Sequence, residues 1–79
     1  MMMTRCEQVR MLLQEAFPGA DIHVGDRMGD DQHLHVRIVS ETFRHQTRLQ
    51  CHKRVYQALG DLVGGKVHAL ALETIVPSD

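Results

Sequence analysis

Two strand-like runs, HLHVRIVS at residues 33–40 and KVHALALETI at residues 66–75, flank a helical stretch, and that order limits the fold. In the first run Leu34, Val36 and Ile38 alternate with His33, His35, Arg37 and Val39. A period of two puts the sets on opposite faces, so the run reads as a strand buried on one side. The second run is more continuously apolar and reads as the closing strand. Because a helix leads into it, it can add parallel to an earlier strand, which a tight hairpin cannot do.

The other elements follow from spacing. Cys6, Val9, Leu12, Leu13 and Ala16 recur at helical intervals behind a Thr4/Glu7 capping pair, and Phe17-Pro18-Gly19 ends that helix. Residues 20–25 alternate, with Ile22 and Val24 on one face and Asp21 and His23 on the other. The polar run GDRMGDD then joins this strand to the next as a hairpin. Glu41 to Gln46 reads as a turn or short helix carrying Phe43. The longest helix spans Thr47 to Leu59, with Leu49, His52, Val55, Tyr56, Leu59 and Leu62 as the predicted inner face. The expected fold class is α+β, an α-β-β-α-β core with a mixed three-stranded sheet and helices on one face. All 79 residues are expected to form a single domain.

Composition narrows the function. A formal net charge of −1 lacks the basic excess of a dedicated nucleic-acid binder. The two cysteines, Cys6 and Cys51, form no CxxC pair, which fits a reducing, cytoplasmic setting. No apolar run approaches the roughly 20 residues of a membrane span, and no membrane association is expected. The start, MMMTRCEQ, has no long apolar stretch of the signal-peptide kind.

Catalysis finds little support. Cys51 and His52 are adjacent, but consecutive helix residues project about 100° apart and do not face one another. No nucleophile elbow and no phosphate-cradling glycine loop is present. The expectation is a protein that is not an enzyme.

Metal binding is the stronger chemistry, since imidazole ligates zinc, iron and copper. His33 and His35 share one strand face, as a two-imidazole site or as an ordinary solvated surface. His68 heads the closing strand on the face of Leu70 and Leu72, as a satisfied core residue or as a ligand at an open end. Two protein ligands make half a site, to be completed by a partner. A basic stretch, RHQTRLQCHKR at residues 44–54, places Arg44, Arg48, Lys53 and Arg54 at or inside the long helix, together with His52. Helical spacing sets Arg44 beside Arg48, a face for phosphates or an ordinary solvated surface.

Taken in order, these pieces resemble the BolA-like family. The matching features are Val39-Ser40 at a strand end, Phe43, His52 ahead of Val55-Tyr56, and a closing strand from His68-Ala69 through Thr74 to Pro77. The resemblance covers nearly the whole chain. It implies a class II KH-like core and pairing with a monothiol glutaredoxin. It also implies a [2Fe–2S] cluster shared with that partner and glutathione, and none held by the isolated chain, which is expected to be a monomer or weak homodimer. The partner and glutathione supply thiolates; His68 maps to the family's closing-strand histidine. A second ligand comes from a loop cysteine in some members and from a histidine near the second strand's start in others. The loop here offers no cysteine, only the region of Asp30, so His33 fits the histidine type, with His35 as its substitute. Cys51 departs from the family pattern, standing where an arginine commonly precedes the helix histidine. The resemblance also leaves DNA-binding transcriptional regulation as an alternative, through His52, Arg44, Arg48, Lys53 and Arg54.

Overall fold

A computed structural model describes residues 4–26, 29, 33–63 and 69–77. The elements in chain order are α1 (Arg5–Ala16), β1 (Asp21–Asp26), β2 (His33–Val39), α2 (Arg48–Leu59) and β3 (Ala69–Ile75). Single 3₁₀ turns occupy Glu41–Phe43 and Gly60–Leu62. The expected α-β-β-α-β order and the mixed sheet are both present.

Local chemistry explains the element ends. Thr4 caps α1 by accepting a hydrogen bond from the Glu7 amide. The Glu7 carboxylate accepts from the Thr4 hydroxyl at 3.3 Å. At the other end the Phe17 amide donates back to the Leu13 carbonyl at 2.8 Å, and Gly19 takes φ +82°, a conformation costly for a residue with a Cβ. α2 begins with a full reciprocal capping box. The Gln50 amide donates to Thr47 Oγ1 at 3.1 Å, and the Thr47 amide donates to Gln50 Oε1 at 2.9 Å.

The strand order is β1-β2-β3. β1 runs antiparallel to β2, with Ile22 opposite Ile38 and Val24 opposite Val36. β3 runs parallel to β2, with Leu34 opposite Leu70 and Val36 opposite Leu72. Leu34, Val36 and Ile38 are all but sealed from solvent, and the two helices pack on this face. α1 contributes Val9, Leu13 and Phe17 to the core, and α2 contributes Cys51, Val55 and Leu59. Phe43 completes it, its ring 5.4 Å from that of Phe17 in a tilted pair. Ser40 is the buried polar residue of this region. Its amide donates to the Ile75 carbonyl and its hydroxyl accepts from the Thr42 amide, which ties the β2 end to both β3 and the turn.

The structure rotates α2 relative to the sequence expectation. Val55 and Leu59 face inward as expected, but Leu49 is 67% exposed and Tyr56 40% exposed, while Cys51 is buried. The physical reason is arc width. An inward direction through Cys51, Val55 and Leu59 advances by four residues per step, and Leu49 and Tyr56 fall roughly 100° off it. Leu12 and Ala16 of α1 lie outside the core in the same way. Leu13→Ala should therefore cost about 2–5 kcal/mol in urea unfolding, whereas Leu49→Ala should stay within about 0.5 kcal/mol.

Candidate functional site

The sheet face opposite the helices carries His33 and His35 on β2, with Arg37 and Val39 further along. His33 and His35 are half-buried, as two rings on one strand face should be. The parallel register sets His33 opposite Ala69, the residue that follows His68 in sequence. His68 itself lies outside the described residues, as does Asp30.

The basic stretch divides. Arg44 precedes α2 and has extended backbone, so helical spacing does not set it beside Arg48. Its guanidinium is bound to the Glu41 carboxylate through Nε and through a second bond of 3.0 Å. It also donates to the Pro77 carbonyl at 3.3 Å. The guanidinium holds the Glu41 carboxyl below its ordinary pKa, chiefly by that hydrogen bond. Arg44 is thus a clamp between the turn and the strand end. Arg48, Lys53 and Arg54 are exposed on α2. At about 100° per residue, Arg48 and Arg54 stand roughly 120° apart, so they form no single stripe.

His52 lies on the helix side of the molecule, separated by the sheet from His33 and His35. It lines a groove of roughly 350 Å³ between the start of α2 and the end of β3, together with Arg48, Cys51, Glu73, Thr74 and Val76. Burial lowers the His52 pKa from its ordinary 6.5, and the nearby Arg48 charge lowers it further. Leu49, His52 and Tyr56 follow one another at three and four residues, a helix stripe with Leu49 and Tyr56 open to solvent. Assigning Leu49 and Tyr56 to the core hid this stripe from the sequence reading. Among the described residues no three histidine, cysteine, aspartate or glutamate side chains converge to hold a metal ion. None of the helices described is long and apolar enough to cross a membrane.

Comparison with known proteins decides the family. The model of the BolA-like protein family matches residues 19–79. The chain belongs to the BolA-like family. It is 40% identical to BolA-like protein 1 of Homo sapiens over 50 residues, 63% of this chain and 36% of the human protein. It is 34% identical to the DNA-binding transcriptional regulator BolA of Haemophilus influenzae over 58 residues, 73% of this chain and 55% of that protein. Among solved structures, BolA1 from Arabidopsis thaliana superimposes with a TM-score of 0.87 at 26% identity, covering 99% of this chain and 98% of that one. The family assignment covers the hairpin, the capped helix α2 and the closing strand, the segments that carry the histidines discussed above.

The low His52 pKa has a stability consequence. A histidine whose native pKa lies below its unfolded value binds fewer protons when folded. Its contribution is complete above pH 6.5 and is lost as pH falls through the lower native value. His52→Asn should therefore flatten the decline of the urea midpoint below pH 6.5, and Arg48→Gln should move the His52 titration upward, as followed by NMR.

Proposed function

We propose that this chain is a non-catalytic adaptor that pairs with a monothiol glutaredoxin and shares a bridging [2Fe–2S] cluster with it, as cargo for iron–sulfur trafficking. Membership of the BolA-like family supports the reading, and one observation carries it: the parallel register brings the start of β2, where His33 stands, alongside the start of β3, which His68 precedes in sequence, so the two ligands would meet at that end of the sheet and not on one of its faces. His68 is assigned as the closing-strand ligand and His33 as the second, with His35 the neighbouring alternative on the same face.

The donor set fits a shared cluster of the histidine type. The chain's two thiols lie on helices, Cys6 on α1 and Cys51 buried in the core beneath α2, so neither occupies the hairpin loop. Thiolates then come from the partner and glutathione, and this chain adds imidazole. Imidazole on one iron raises the cluster potential relative to all-thiolate ligation. It is also protonatable, which makes release sensitive to pH. The Leu49, His52 and Tyr56 stripe, flanked by Arg48 and Lys53, offers the protein partner an apolar and basic contact surface.

Reconstitution tests this. Mixing with a monothiol glutaredoxin, glutathione, iron and sulfide should give a coloured heterodimer, and His68→Ala should change its visible spectrum and accelerate cluster loss. No complex, or a spectrum indifferent to His68→Ala, overturns the proposal.

A second reading is DNA binding, favoured by the name of the Haemophilus relative. It requires affinity that falls steeply with salt and weakens in Arg48→Ala. The angular spread of the α2 cations and the engagement of Arg44 with Glu41 rank it second.

A further inference from the structure

The helix-free sheet face holds a second pair of imidazoles, apart from the closing strand. His23 on β1 and His35 on β2 have ring centroids 6.5 Å apart in an edge-on arrangement. We propose that His23 and His35 form a labile two-imidazole site for a divalent first-row metal ion of the nickel, copper or zinc class.

The register builds this pair. His35 stands opposite Gly25, and His23 stands opposite Arg37, so the two histidines are diagonal neighbours. Gly25 supplies the room. A Cβ at that position would lie 3.9 Å from His23 Nε2, so the His23 ring leans along β1 over the residue facing His35. A side chain at residue 25 would start in van der Waals contact with the His23 ring.

The charges around the pair suit a cation. Arg37, opposite His23, reaches the other way across β2 to Glu73, with Nε 3.8 Å from Oε1. Glu73 offsets part of the positive charge of Arg37. Asp21 lies two residues before His23 on the same strand face and adds negative potential.

Imidazole is a preferred ligand for nickel, copper and zinc, and metal–nitrogen bonds of about 2.0–2.1 Å fix the required approach. The present ring separation is longer than a shared ion allows. His23 is exposed and His35 half-buried, and the proposed site forms by rotation about their side-chain torsions with the strands in place. No three donors converge among the described residues, so the site is an open one, with its remaining positions for water or for a donor on another molecule. The proposal does not rest on the cluster reading. His23 has no part in that reading and His68 none in this one; His35, the alternative ligand there, is the residue common to both.

The probe is Ni²⁺, which spares the thiols the redox chemistry of copper. Calorimetric titration of untagged protein should show one Ni²⁺ per chain, with paramagnetic broadening of NMR signals centred on His23 and His35. His23→Gln and His35→Gln should each weaken binding by about tenfold or more, since even an outer-shell partner's loss costs about 10- to 100-fold. His68→Gln should leave binding unchanged while still altering the glutaredoxin complex. Unchanged Ni²⁺ affinity in His23→Gln overturns the proposal. So does a site abolished by His33→Gln or His68→Gln but retained in His23→Gln.

Discussion

Strand β2 is the part on which everything else leans. It is hydrogen-bonded on both sides, antiparallel to β1 and parallel to β3. Its inner residues Leu34, Val36 and Ile38 are the floor onto which α1 and α2 pack. Burying these three fixes which way β2 faces, because a one-residue slip would turn every side chain over. Once that face is set, His33 and His35 have no choice but the opposite one. The placement of the outer-face histidines is therefore a by-product of packing at the inner face.

The parallel β2–β3 pairing needs a crossover, and α2 provides it. The capping box at Thr47 and Gln50 sets where that helix starts, and Ser40 and Arg44 hold the connecting turn against the end of β3. Ser40, Arg44, Thr47 and Gln50 all make side-chain hydrogen bonds at this corner. Such a corner positions the groove around His52 without placing any charge in the core.

Much of the fold was readable in the sequence because the alternating and helical periods are clean. The alternation of residues 33–39 gave β2 and its inner face, and Phe17-Pro18-Gly19 gave the end of α1. The phase of α2 was harder. Leu49 and Tyr56 have the hydrophobicity of core residues, and periodicity alone does not tell a buried arc from an adjacent one; only the facing strands select Cys51, Val55 and Leu59. Arg44 and Arg48 look paired on a helical wheel, yet the helix begins after Arg44. The outward placement of His23 was visible from alternation, but its proximity to His35 depends on cross-strand register, which no local pattern encodes. The place of His33 beside Ala69 is of the same kind, a product of parallel pairing.

Cys51 is only 4% exposed, although it stands next to a half-buried histidine in sequence. The core around it acts as a seal. Cys51 lines the groove around His52 with only that small fraction open, so oxidants and glutathione disulfide approach its sulfur from the groove side alone, and thiol–disulfide exchange there is hindered. A thiol buried this way behaves as a small apolar core residue more than as a nucleophile. A glutathione adduct on Cys51 would thus report that the groove around His52 had widened enough to admit the tripeptide.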